Sequence, residues 1–330
     1  MISRSKSTPE PHDAAVAPQV PSWLRRAAGD DRALATRDEA DVAIVAGAAI
    51  ASLDTVVRRQ ERWAGLWRQR LALDAAVASV RQAGRSEDEA ALRDAVLLAR
   101  PGDDVGPAGH MLLAWQRLAA RPVRELLKPE SLALTLTALG YAADDLILDD
   151  LAGEIGQLTP RQGVADATTA ALATGERHGF APVLGVCVAD IVLAQRLGWD
   201  HVLPLHGVEL LSRRRSGRLR GATAGAMASG EGAEDMRRLL GVQARAALRA
   251  IDLAATLQRR AQRLIAIAPK LRAKGSGAVV ERLLAQDAMV ASQKIAGITD
   301  RGLRRLFDRL IEFDAVRELS GRPTFRIYGL

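Results

Sequence analysis

From Asp38 onward the apolar residues return every three or four positions, and this spacing commits the chain to helices. Val42, Val45, Ala49, Leu53 and Val56 share one helical face. Trp63, Leu66, Trp67, Leu71 and Leu73 open a second run that continues through Val77 and Val80 to Gly84. Ser86 is the expected N-cap of a helix over 87–99. Further helices are expected from Pro107 through Leu118, over 129–140, 143–156, 168–174 and 183–198, and over a long stretch from 233 to 267. The apolar run 183–188 is short enough to fit a strand as well. Aromatic residues are 3% of a chain that is 48% hydrophobic, so the core must be built from Ala, Leu, Val and Ile. That favours close-packed helices over a sandwich or barrel.

The expected fold class is therefore all-α, a multi-helix domain followed by a C-terminal winged helix-turn-helix with a small β-hairpin. Residues 1–30 are rich in Ser, Pro and charge without periodicity and read as a disordered tail, with Trp23 and Leu24 as local docking points. A helical domain spans 38–211. Residues 212–232, SRRRSGRLRGATAGAMASGEG, hold five Arg and many Gly and read as a flexible linker. The long helix, taken over 233–270, is expected to pack on the helical domain. Lys274-Gly275-Ser276-Gly277 is a hinge into a module over 275–330.

That module has the most specific pattern. Val279, Val280, Leu283 and Leu284 define a first helix, and 287–297 is a weaker second one with Met289 and Ile295 as its apolar points. Thr299 is an N-cap, and Leu303, Leu306, Phe307, Leu310 and Ile311 repeat as the inward stripe of a third helix. Two short runs, 315–319 and 324–328, flank Ser320-Gly321-Arg322-Pro323 as a hairpin. In a winged helix the third helix enters the major groove and the hairpin touches the backbone. The expected DNA-binding residues are Arg301, Arg304, Arg305 and Arg309 on the helix, with Arg322 and Arg326 on the wing.

The net charge is 46 − 39 = +7, which suits an anionic partner. The excess of Arg over Lys fits phosphate contacts, although a GC-rich coding bias is the simpler account. Within 274–330 there are ten basic and seven acidic residues, a net of +3, so a merely solvated basic face is the competing reading.

The segments APKLRAKGSGAVVERLL (268–284), DRGLRRLFDRLIEFDAVRELSGRPTFRIYGL (300–330) and WAGLWRQRLALDAAVASVRQAGRSEDEAALRDAVLLARPGDDVGPAG (63–109) resemble the bacterial domain-of-unknown-function family numbered 1403. The resemblance implies no activity. The ending VRELSGRPTFRIYG is also similar to the winged-helix tail of Fic-type proteins, but the HPFxxGNGR loop of their chemistry is missing and His178-Gly179-Phe180 is no substitute.

Other constellations point to structure. His201 and His206 read as two ordinary loop histidines without a third ligand. Asp144-Asp145 and Asp149-Asp150 read as a solvated helix face, Asp103 and Asp104 as a turn, and Trp63/Trp67 as core packing. Cys187 reads as a small buried residue. The glycines of 217–232 lack the Lys of a phosphate loop. No metal or cofactor is expected, and the balance leans away from an enzyme, a class that a buried acidic or His cluster would revive. The longest uncharged runs, 42–53 and 178–189, are too short for a bilayer, so no membrane partner and a cytoplasmic location are expected. The partners expected are duplex DNA and a second copy in a homodimer. The expected function is a DNA-binding regulatory or accessory protein, the alternative being a helical scaffold whose winged helix contacts other proteins.

Overall fold

The computed structural model describes residues 20–29, 34, 36–100, 102–126, 128–142, 144–158, 163–214, 231–322 and 324–330. Among these, fourteen α-helices carry the fold, with one small sheet. The fold is all-α, as the spacing of the apolar residues requires.

The chain opens with α1 (Ser22–Gly29), α2 (Glu39–Arg58), α3 (Ala64–Gln82), α4 (Glu89–Leu97) and α5 (Gly106–Ala120). A single turn, α6 (Val123–Leu126), leads to α7 (Pro129–Ala138), α8 (Asp145–Gln157), α9 (Val164–Arg177), α10 (Pro182–Arg196) and α11 (His206–Arg214). The longest helix, α12 (Glu231–Ile267), lies along α2 and ends in a 3-10 turn at Pro269. Prolines start α5, α7 and α10, where the missing N–H costs no helical hydrogen bond.

Several boundaries differ from those expected. The last third of the expected tail is helix: α1 buries Leu24, Ala27 and Ala28, while Trp23 stays half exposed. Arg25 fastens α1 to Asp252 of α12 at 2.7 Å. Residues 1–19 lie outside the described residues. The expected linker begins inside α11 and ends inside α12, and residues 215–230 lie outside the described residues. The cap of α4 is Asp88, whose carboxylate accepts from the Ala91 amide at 2.9 Å, and not Ser86. The run 183–188 is helix.

That run is apolar because α10 is buried all round. One face, with Val186, Cys187 and Ile191, joins the main core, and the other, with Leu184, Val188 and Val192, joins a smaller core shared with α7, α8 and α9. The α9–α10 crossing is close enough for backbone contact. A Cβ on Gly185 would stand 2.2 Å from the Leu172 carbonyl oxygen, and one on Gly175 2.8 Å from the Gly185 nitrogen.

α2 is long and apolar enough by length and composition to cross a membrane, although the uncharged run alone is not. Its Val42, Val45, Ala49, Leu53 and Val56 face is buried, and Ile44 is exposed on the opposite side.

After the 3-10 turn come α13 (Ser276–Ala285), β1 (Met289–Val290), α14 (Asp300–Glu312), β2 (Arg317–Glu318) and β3 (Ile327–Gly329). Gly275, at φ +86, is the left-handed residue that starts α13. β3 is central and antiparallel to both neighbours, in the order β1-β3-β2, with Met289 opposite Tyr328 and Glu318 opposite Tyr328 from the other side. The expected middle helix over 287–297 is absent. Its N-terminal part is β1, and turns occupy the rest up to Ile298. Two apolar points are too few for a helix stripe, whereas Met289 and Val290 pair with Tyr328 and Ile327 of β3.

The C-terminal elements share one core with the helical body. Val279, Leu283, Met289, Leu303 and Phe307 belong to the same buried cluster as Leu66, Leu71 and Trp115. Asp287, just before β1, is buried between Arg70 of α3 and Arg93 of α4. It accepts from Arg93 Nε at 2.6 Å and also from Arg70 Nε, and Arg70 donates further to the Leu330 carbonyl.

Candidate functional site

The basic face of α14 is set by its cap and its stripe. Thr299 Oγ1 accepts from the Gly302 amide at 3.1 Å, and Asp300 stands in the first turn. Leu303, Leu306, Phe307 and Leu310 are buried. Phe307 stacks on Tyr328 of β3, with ring centroids 4.2 Å apart and planes 8° from parallel. The inward stripe thus fixes the rotation of the helix, and Arg301, Arg304, Arg305 and Arg309 point to solvent. Ile311, expected inside, is 37% exposed at the edge of the stripe.

The six arginines singled out from the sequence separate into two groups. Arg301, Arg304 and Arg305 are exposed and make no ion pair or side-chain hydrogen bond among the described residues. Arg309 lies over the Phe313 ring, 5.5 Å from its centroid. The wing arginines are tied back: Arg322 pairs with Asp94 of α4 at 2.5 Å, and Arg326 with Glu318 of β2 at 3.6 Å. Pro323 of the expected turn lies outside the described residues, and Gly321 takes φ +60.

Between α14 and the hairpin lies a cleft of about 460 Å³. Ser292, Arg304, Asp308, Phe325, Arg326 and Tyr328 are among its walls. Phe325 is 70% exposed and held at φ +55, a conformation costing a bulky residue about 1–3 kcal/mol. Burial raises the Tyr328 hydroxyl above its ordinary pKa, against a hydrogen bond with Arg326.

Sequence reasoning missed a second group of cations beside this module. Arg260 of α12 is held below the ordinary arginine value first by burial, then by repulsion from Arg317, Arg70 and Arg259.

The histidines divide. His201 stays in a loop, where its ring is pushed below the ordinary histidine value by burial first and then by Arg68. His206 does not: it opens α11 and is fully buried against Asp190 of α10, with Nδ1 2.6 Å from Oδ1. The same oxygen accepts from the Leu205 and His206 amides, each at 3.2 Å. Cys187 sits one turn before Asp190, its thiol pushed well above the ordinary value by burial and by that carboxylate. An aspartate orienting a histidine is the geometry of a general base. Here both side chains are at 0% exposure, the pair ties α10 to α11, and among the described residues His206 Nε2 and Asp190 Oδ2 have no hydrogen-bond partner. Among the described residues no group of three His, Cys, Asp or Glu side chains could hold a metal ion.

Asp144 caps α8 by accepting from the Ile147 amide, Asp145 lies in its first turn, and Asp149 and Asp150 are exposed. Asp103 and Asp104 accept from the Arg100 and Gly106 amides in a turn. Trp63 and Trp67 meet edge to face in the core.

Fold and surface together define an all-α protein with a basic C-terminal helix set on a small antiparallel sheet. The chain belongs to the family described as "Protein of unknown function (DUF1403)", whose model matches residues 9–330. No curated protein matches it.

Proposed function

We propose that the C-terminal elements form a winged helix that binds duplex DNA, in a DNA-binding regulatory or accessory protein. α14 is the helix that enters the major groove, and the β2–β3 hairpin is the wing. The turns before Ile298 stand where a full helix-turn-helix has its middle helix. The observation that carries this reading is the set of three exposed arginines in the first two turns of α14, without a partner among the described residues, on a helix whose buried stripe prevents them from turning inward.

The test is fluorescence anisotropy of a labelled duplex at several salt concentrations. Each lost phosphate contact flattens the plot of log affinity against log salt by roughly 0.9, so Arg304→Ala with Arg305→Ala lowers the slope by about 1.8. Both side chains are exposed, so helicity stays unchanged. Absence of duplex binding by the wild type at low salt, or an unchanged slope in the variant, overturns the reading. The protein-contact alternative is favoured by one observation, the exposure of Phe325, Ile311 and Phe313 among the C-terminal elements.

A further inference from the structure

We infer that the cleft between α14 and the hairpin is a nucleotide subsite, with the base on Phe325 and the phosphate on Arg304 and Arg326. The inference deepens the proposed DNA-binding reading and rests on it for the partner class.

Three observations carry it. Firstly, the cleft is large enough for a mononucleotide, and its walls supply the groups that a nucleotide uses: the Arg304 guanidinium and, once its 3.6 Å pair with Glu318 opens, that of Arg326 for phosphate, an aromatic face for the base, and the Ser292 hydroxyl for sugar or base edges. Secondly, Asp308 stands one helical turn beyond Arg304 on the same wall. Its carboxylate repels a phosphate from that end and accepts from a base N–H group, the adenine amino group or the thymine N3–H, which orients the ligand. Thirdly, Phe325 is strained and exposed at once. Its left-handed backbone is unfavourable for a bulky side chain, yet the ring gains little burial inside the chain. Folding alone does not account for such a residue, whereas a stacking partner from outside does. Tyr328 cannot serve that role, because its ring is already stacked on Phe307. It forms part of the wall.

The nucleotide can come from two sources, a free effector or an unpaired nucleotide of the bound nucleic acid. The experiment uses the full chain, isothermal titration with dAMP and with inorganic phosphate, and anisotropy with a labelled ten-residue oligo(dT). A free-nucleotide site binds dAMP about tenfold more tightly than inorganic phosphate, while a site for nucleic acid binds oligo(dT) without measurable dAMP affinity. In either case Phe325→Ala weakens the bound probe about tenfold, and Phe325→Trp restores it. Phe325 is exposed, so these variants keep the fold, which circular dichroism checks. Failure of both probes to bind, or binding of each unchanged in Phe325→Ala, overturns the subsite. If the wild type also binds duplex in that case, the DNA-binding reading survives it. Probes that bind through Phe325 in a chain that takes no duplex uphold the subsite and overturn the duplex reading.

Discussion

Replacing Asp287 with Ala should loosen the whole molecule, not just its C-terminal end. The carboxylate is 5% exposed and lies between Arg93, 7% exposed, and Arg70, 12% exposed. Removing one member of a buried charge group leaves the others desolvated without compensation, at about 3–5 kcal/mol. Two contacts soften the loss. Arg93 retains Glu89 at 3.2 Å, and Arg70 retains the Leu330 carbonyl at 3.2 Å. The expected cost is therefore at the lower end, about 3 kcal/mol. With a urea dependence of about 3 kcal/mol per molar, the unfolding midpoint falls by about 1 M. Because the C-terminal elements and the helical body share one core, fluorescence of the tryptophans in the body should report the shift. A triple variant with Arg70→Met, Arg93→Met and Asp287→Leu removes all three charges and should recover most of the loss. A cost for Asp287→Ala below about 1 kcal/mol, the range of exposed pairs, refutes the reasoning.

Burial pushes the Asp74 carboxyl from the ordinary 3.8 up to about 6, with Glu89 and Asp287 adding to the shift and Arg249 and Arg70 opposing it. The folded state then holds a proton that the unfolded state has released, so stability falls as pH rises from about 4 to about 6, by at most roughly 3 kcal/mol. Melting curves of the wild type and Asp74→Asn that run parallel between pH 4 and pH 7 would contradict this. At the helix crossing, Gly185→Ala should cost about 3 kcal/mol, because its methyl meets the Leu172 carbonyl. Gly47→Ala in the open face of α2 should gain about 0.5–1 kcal/mol, and equal midpoints for the two variants would refute the contact.

Features decided within one or two helical turns were legible in the sequence. Thr299, the Leu303–Phe307–Leu310 stripe and the outward arginines need nothing beyond helical spacing and a cap. Features that depend on distant partners were less so. The strand at Met289 exists because Ile327 and Tyr328 return beside it, and nothing near 289 announces that pairing. Arg322 is paired with Asp94, more than two hundred residues away in sequence, so that pairing could not be read locally. His206 was legible in principle. Asp190 is the sole charged residue among the buried positions of α10. A buried carboxylate requires compensating donors, and the histidine next to Pro204 and Leu205 was one of few candidates.

The distribution of arginine partners bears on the proposed surface. Several arginines elsewhere tie elements together: Arg25 to Asp252, Arg62 to Glu281, Arg177 to Glu154 and Arg249 to Asp74. Among the described residues, Arg301, Arg304 and Arg305 make no such tie. They lie in the first two turns of α14; in the first of these the helix dipole presents its positive end, and a cation there, Arg301, is disfavoured by about 0.3–1 kcal/mol. Arg301 and Arg305 are also like charges at i,i+4, which costs a further few tenths of a kcal/mol, on the order of 0.2–0.5. Selection for stability alone would place carboxylates there, as Asp300 illustrates at the first helical position. A coding bias toward arginine accounts for their number but not for their clustering at the end of the helix that disfavours them. An anion brought to that face, such as a phosphate group, offsets both penalties at once.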